Sequence, residues 1–114
     1  VVTVYSTMLV ETAAHDTPMI AATVDVPGGW NKKGKFSLSL KEIGDWPTHQ
    51  RFRLAKAGRV ANNENELRDA LNIYLKDRTI DSAERKKFVE DEITFTDASS
   101  GKRTAEFILK VLGL

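Results

Sequence analysis

Cysteine is absent from the 114 residues, which excludes disulfides and thiolate metal sites within them. Histidine is scarce, and His15 and His49 do not form the His-x-x-x-His spacing of a catalytic zinc helix. No apolar run reaches the ~20 residues that a bilayer-spanning helix needs. We therefore expect a cytoplasmic protein without a transmembrane segment, with a peripheral position at the inner face of the membrane as the alternative.

The composition is that of an ordinary globular protein. Hydrophobic residues make up 41% and charged residues 29% of the chain. A length of 114 residues suffices for one small domain. Because the chain opens with Val1, already inside a strand pattern, we expect residues 1–114 to be a single domain from a longer protein.

The first 25 residues predict a strand, a helix and a second strand. Residues 1–5 are β-branched and almost wholly apolar, which indicates a buried strand. Ser6 or Thr7 can cap the apolar helix predicted over residues 8–14. Residues 19–25 indicate a second buried strand. Two such strands joined by a helix predict a parallel βαβ unit with a right-handed crossover.

The next stretch is less regular. Residues 27–34 are typical of a loop, and the alternation over residues 36–40 suits a short strand. A helix is predicted from Pro47 through residue 57, followed by a short third strand over residues 59–61.

Helices are predicted for the remainder of the chain. Asn63 with Glu66, and Asp81 with Glu84, have the spacing of capping pairs. Apolar stripes at helical spacing predict the faces that pack on a core: Leu67, Ala70, Leu71, Tyr74 and Leu75, then Phe88 and Val89, then Ala105, Ile108, Val111 and Leu112. The expected fold is α/β, a partial Rossmann-like three-layer domain with a short parallel sheet and several C-terminal helices.

The turn after the first strand has the residues of a phosphate site. A helix that starts at the carboxyl end of a parallel strand presents free N–H groups and a partial positive charge. Ser6 and Thr7 can add hydroxyl donors there, and Glu11, one turn further, can accept hydrogen bonds from ribose hydroxyls. The alternative is structural, with a hydroxyl as helix cap and Glu11 as dipole partner.

Residues 31–60 hold eight basic and two acidic side chains, a local excess that can attract phosphate. Within or beside this segment, Lys32 and Lys33 can clamp a phosphate, Trp30 can stack on a base or sugar, and His49 can reach a phosphate or base. The alternatives are a solvated loop anchored by one aromatic residue and a histidine at a helix start. Stacking platforms for nucleic acid are lacking, so no nucleic-acid partner is expected.

A family resemblance adds to these observations. Glu11-Thr-Ala-Ala-His-Asp-Thr-Pro18-Met-Ile resembles the nucleotide-sugar-binding segment of GT-B glycosyltransferases and of the UDP-N-acetylglucosamine 2-epimerases. The CDP-glycerol glycerophosphotransferases are more distant relatives of the same architecture. Further stretches resemble the end of bacterial surface-carbohydrate glycosyltransferases: Thr48-His49-Gln-Arg51, Gly58-Arg-Val-Ala, Glu66-Leu-Arg-Asp-Ala-Leu, Tyr74-Leu-Lys-Asp and Phe95-Thr-Asp97 with Gly101-Lys-Arg103-Thr-Ala-Glu.

The resemblance implies roles for residues near the first strand. Glu11 matches the acid that holds the ribose hydroxyls, and Ser6, Thr7 and Met8 match the turn that holds the diphosphate. Thr7 and Met8 stand where relatives often have glycine, and so does Asp16 before Thr17-Pro18. The implied base of catalysis lies in an N-terminal domain, so no catalytic residue is assigned here.

The implied function is donor binding for a glycosyltransferase that takes part in surface-polysaccharide synthesis. The nucleotide diphosphate-sugar is then a substrate, no separate cofactor or metal is expected, and residues 1–114 are inactive without the N-terminal domain. Two alternatives remain: part of a nucleotide-sugar epimerase, and a non-enzymatic α/β interaction module. The edge of the sheet is a candidate surface for a homodimer.

Overall fold

A computed structural model of the chain describes residues 1–24 and 39–114. The described part is an α/β fold with a small parallel sheet. Its strands and helices, in chain order, are β1 (Val2–Thr3), α1 (Met8–Ala14), β2 (Ile20–Ala22), α2 (Leu40–Gly44), α3 (Pro47–Ala55), β3 (Arg59–Ala61), α4 (Glu64–Lys76), α5 (Ser82–Glu92) and α6 (Ser100–Leu112).

The described sheet has the strand order β1-β2-β3, and both pairings are parallel. Val2 is in register with Ile20, and Ala21 with Val60. The predicted parallel βαβ unit is therefore confirmed. The third strand begins at Arg59, as its sequence indicates.

Helices cover both faces of the sheet because side chains alternate along each strand. Met19 and Ala21 point into a core formed with α1, α3 and α5, where Phe52 is almost fully buried. Ile20 and Ala61 point to the opposite face and pack against α4. The helix–sheet–helix layering is the partial Rossmann-like arrangement that the sequence predicts.

The first strand is not buried as predicted. The side chains of Val1, Val2 and Val4 are each nearly half exposed. Among the described strands β1 pairs only with β2, and α4 packs on β2 and β3. An apolar β-branched run predicts a strand, but its burial depends on what covers it.

Helix α2 occupies part of a segment for which the sequence predicts a short strand. Residues 36–38 of that prediction lie outside the described residues, whereas Leu40 begins α2. Ser39 caps this helix: its Oγ accepts a hydrogen bond from the Glu42 N–H at 3.1 Å, and the Glu42 carboxylate accepts one from the Ser39 N–H at 2.7 Å.

The two predicted capping pairs have different outcomes. Asn63 accepts a hydrogen bond from the Glu66 N–H at 2.9 Å, which confirms the first pair at the start of α4. Asp81 makes no side-chain cap on α5. Its carboxylate instead accepts hydrogen bonds from Arg59 Nε at 2.9 Å and from the Tyr74 hydroxyl at 2.6 Å. The Asp81 carboxylate thus pairs with Arg59, which is distant in sequence, and does not cap α5.

The predicted core faces of α4 and α6 are only partly right. Ala70 and Tyr74 are buried, but Leu75 on the same stripe is largely exposed. In α6 no residue is buried, and no other described element packs closely against it. Its exposed large apolar side chains are Phe107, Ile108, Leu109, Val111 and Leu112.

Candidate functional site

The turn from β1 into α1 lies at the carboxyl edge of the sheet, where parallel sheets commonly bind ligands. Neither hydroxyl of this turn caps the helix, which corrects that structural expectation. Thr7 is the N-cap residue but has helical backbone angles, φ −58° and ψ −23°, and its side chain makes no capping hydrogen bond. A capping side chain normally starts from an extended backbone.

Ser6 is the unusual member of the turn. Its Oγ is buried and has no hydrogen-bond partner among the described residues. A buried hydroxyl without a partner costs roughly 1–3 kcal/mol. The backbone carbonyl of Ser6 accepts the Leu9 N–H at 3.1 Å, so the orphaned group is the side chain. The hydroxyl therefore keeps an unused capacity to donate and accept hydrogen bonds.

Glu11 and Met8 both face solvent on the first turn of α1. The Glu11 N–H donates to the Thr7 carbonyl oxygen at 3.3 Å, but the Glu11 carboxylate makes no hydrogen bond or ion pair within residues 1–24 and 39–114. Because the side chain does not turn into packed protein, it can receive two hydroxyl groups from a ligand at this edge.

Three aromatic rings stack beside the turn. The His49 ring lies over the Tyr5 ring with centroids 5.1 Å apart and an angle of 26° between the planes. The Trp46 ring lies over His49 at 6.2 Å and 12°. Burial lowers the pKa of His49, which favours the neutral imidazole. The sequence predicts a site role for His49, whereas Trp46 was missed.

Tyr5 is the buried ring at the inner end of this stack. Its ring packs edge-on against Phe52 at 6.5 Å. Burial raises the pKa of its hydroxyl, the nearby Arg53 opposes that rise, and Asp45 adds to it. A Cβ on Gly44 would come within 2.5 Å of Tyr5 Cε2, so only glycine lets α2 approach this closely. The ring is therefore held on both sides.

The carboxyl ends of the other two strands carry polar groups that sequence reasoning missed. Thr23 Oγ1, after β2, lies 3.0 Å from the Ala61 carbonyl oxygen and 2.9 Å from Asn62 Oδ1. The Asn62 N–H donates to Glu66 at 2.8 Å, and this bond, with further ones from Asn62 and Asn63, lowers the Glu66 pKa. These groups lie at the carboxyl edge of the sheet but hydrogen-bond to one another, so they leave little hydrogen-bonding capacity for a ligand.

Trp30, Lys32 and Lys33 lie outside the described residues. Ser6, Thr7, Met8 and Glu11 follow the end of β1 into α1, and the His49 ring stacks on Tyr5, the residue before Ser6. Across residues 1–24 and 39–114, no group of three or more His, Asp and Glu side chains is placed to hold a metal ion. In the same ranges, no helix has the length and apolar character needed to cross a membrane.

A cavity of about 330 Å³ lies at the other end of the sheet. It opens between the start of β1 and the C-terminal half of α4, and it is lined by Val1, Val2, Thr17, Pro18, Ile20, Leu71, Tyr74, Leu75 and Arg78. The cavity is mostly apolar and shares no residue with the candidate site.

Comparisons with known proteins give no relative: no family model, curated protein or solved structure matches the chain.

Proposed function

We propose that this chain binds the nucleotide diphosphate-sugar donor of a glycosyltransferase at the carboxyl edge of its sheet. The observation that carries the proposal is the buried, unpartnered Ser6 Oγ at the mouth of α1. A diphosphate oxygen would satisfy that hydroxyl, and the ribose hydroxyls would donate to Glu11 one turn along.

Two features of the turn support this orientation. The N–H groups of Thr7 and Met8 make no hydrogen bond within the described residues, so they can donate to an anion. The free carboxylate of Glu11 repels phosphate but accepts hydrogen bonds from neutral hydroxyls. The turn thus offers donors to one part of a nucleotide and an acceptor to another.

Transfer of the sugar needs groups that the described residues do not offer at this edge. The donor and acceptor must be aligned across a cleft, and a base must take the acceptor proton. We propose that a separate N-terminal domain of the same protein supplies the base and the acceptor site. The described domain would then bind the donor without turnover.

Titration of UDP, CDP and GDP against the protein, followed by NMR chemical shifts, tests the binding. We expect shifts at Ser6, Thr7 and Glu11. Glu11→Ala should weaken binding by about ten- to a hundredfold, because it removes hydrogen bonds from ribose to a charged group. Glu84→Ala is the matched control, since Glu84 is an exposed carboxylate in the first turn of α5.

Ser6→Ala gives a second, independent readout. Removal of an unsatisfied buried hydroxyl should raise the free energy of unfolding of the free protein by about 1 kcal/mol and at the same time weaken nucleotide binding. Unchanged affinity in both Ser6→Ala and Glu11→Ala would exclude this site.

An interaction module is the second candidate. The exposed side chains of Val2 in β1 and of Val1 and Val4 beside it favour this candidate, because β1 is an edge of the described sheet and an unpaired edge can add a strand from another chain. A homodimer through this edge would appear as a doubled mass in light scattering, and Val2→Lys should abolish it. A monomer at all concentrations would count against the module.

A further inference from the structure

The ring stack beside the candidate site ends in an open face. Tyr5 is buried, His49 is half-buried, and Trp46 at the outer end is 47% exposed. The stack therefore runs from the core to solvent and terminates in the largest aromatic surface available to a protein. Among the described ring contacts of Trp46, the only partner is His49, on one side of the indole.

Local structure holds the Trp46 ring in place. Trp46 is the N-cap residue of α3, with an extended backbone, and Pro47 follows at the first helical position. His49 comes three residues later, so the two side chains lie on one side of the helix start. His49 is in turn held by Tyr5. A ring fixed in this way loses little side-chain entropy when a ligand stacks on it.

The chemistry of the stack suits a nucleobase. Every base has a flat π-face, and stacking on an aromatic side chain requires no particular hydrogen-bonding pattern. A neutral imidazole beneath the indole adds no charge to the platform. An uncharged aromatic face does not attract a phosphate. The Trp46 ring and the Ser6 turn therefore suit different parts of a nucleotide.

We infer that the outer face of Trp46 is a stacking site for the base of a nucleotide. The inference rests on the proposed function, since it makes Trp46 the base end of the ligand whose diphosphate lies at Ser6. Ring spacings of 6.2 and 5.1 Å separate Trp46 from Tyr5, the residue before Ser6. One extended nucleotide can span this distance.

Tryptophan fluorescence tests the inference directly, because the chain has two tryptophans, Trp30 and Trp46. In Trp30→Phe the emission reports on Trp46 alone, and in Trp46→Phe on Trp30 alone. We expect UDP, CDP and GDP to quench the first variant and leave the second nearly unchanged. Ribose 5-phosphate and inorganic pyrophosphate, which have no base, should quench neither.

Affinity gives the second measurement. Trp46→Ala should weaken binding of each nucleotide by about five- to a hundredfold, as expected for the loss of one base–aromatic stack. Binding of pyrophosphate should not change. Phe107→Ala is the matched control, because Phe107 is an exposed aromatic residue on α6. Circular dichroism of Trp46→Ala and the milder Trp46→Phe shows whether the fold is retained.

The outcomes separate the two proposals. Nucleotide-induced shifts at Ser6 and Glu11 without quenching of Trp46 would overturn the base site and leave the donor site standing. Quenching of Trp30 in place of Trp46 would also overturn it. Quenching of Trp46 with no effect of Glu11→Ala would support the base site and contradict the ribose position. No response to any nucleotide would overturn both.

Discussion

The contacts of Asp16 predict how its replacement changes the free energy of unfolding. The residue lies between α1 and β2 and has a φ of 46°, in the left-handed region that favours glycine. Its Oδ2 accepts a hydrogen bond from Ser82 Oγ at 2.7 Å, and its Oδ1 accepts one from Arg85 Nε at 2.9 Å. Aspartate is one of the few residues besides glycine that adopt this conformation.

Arg85 depends on this carboxylate. Its side chain is fully buried, while that of Asp16 is 44% exposed. The guanidinium also donates to the carbonyl oxygens of Ile80 at 2.7 Å and Arg78 at 3.2 Å. Together with the bond to Asp16, these bonds give each guanidinium nitrogen one acceptor, and among these acceptors only Asp16 carries a negative charge. Removing that partner leaves a buried positive charge without compensation.

Two opposed effects decide the stability of Asp16→Gly. The backbone gains about 1 kcal/mol, because glycine adopts a positive φ without steric cost. Stranding one member of a buried ion pair costs about 3–5 kcal/mol, and the lower end applies because Asp16 is partly solvated. We expect a net loss of about 2 kcal/mol. Asp16→Asn keeps a residue that tolerates the left-handed backbone and isolates the effect of the charge.

The contribution of Asp16 should depend on pH. The hydrogen bond from Ser82, and then Arg85, holds the pKa of Asp16 below its ordinary value. Because the folded-state pKa is depressed, the stabilisation is fully present above the unfolded pKa of about 3.9 and is lost as the pH falls through the folded pKa. The difference between the wild type and Asp16→Asn should therefore be constant at neutral pH and shrink below about pH 4.

Urea unfolding followed by circular dichroism measures these differences, with the midpoint and the slope compared between variants. Asp91→Asn is the control, since Asp91 is an exposed carboxylate on α5. An Asp16→Gly protein at least as stable as the wild type would refute the reasoning, because the backbone gain would then offset the whole loss of the ion pair.

Three further predictions concern packing. Gly58→Ala should lower the free energy of unfolding by about 1–3 kcal/mol, because its Cβ would come within 2.5 Å of the Met19 carbonyl oxygen. Gly101→Ala, with no atom within 4 Å of the added Cβ, should raise the helical dichroism signal and leave the urea midpoint unchanged. Phe52→Ala should cost about 3–5 kcal/mol by urea unfolding, whereas Phe107→Ser, on a helix that buries nothing, should change the midpoint by less than about 0.5 kcal/mol.

Local signals in the sequence predicted local structure well. The Asn63–Glu66 spacing marks the start of α4 because both groups needed for the cap lie within one turn. The same signal was present at Ser39 and Glu42, where it was overlooked in favour of an alternating pattern, and it would have found α2. The spacing identifies a cap where no distant group competes for the capping side chain, as Arg59 and Tyr74 do for Asp81.

Burial was harder to predict because it depends on distant partners. An apolar stripe on α6 and an apolar run in β1 look like those of core elements, yet both face solvent in the described chain. Likewise Asp81 pairs with Arg59 across 22 residues, which no local spacing indicates. The stacking of Trp46 on His49 was missed although both are close in sequence, because only Tyr5 makes the pair part of the site.

The candidate turn combines rigidity with an unmet polar group, and that combination is what distinguishes it from a surface loop. Tyr5 is locked in the core, so the backbone that follows it cannot shift to give Ser6 Oγ an internal partner at low cost. Thr7 is exposed, so water or a ligand can reach the turn from outside. Natural proteins break local rules of polar satisfaction at functional or strained sites. The unsatisfied Ser6 hydroxyl and the free Glu11 carboxylate are therefore the two groups on which the proposed donor site depends.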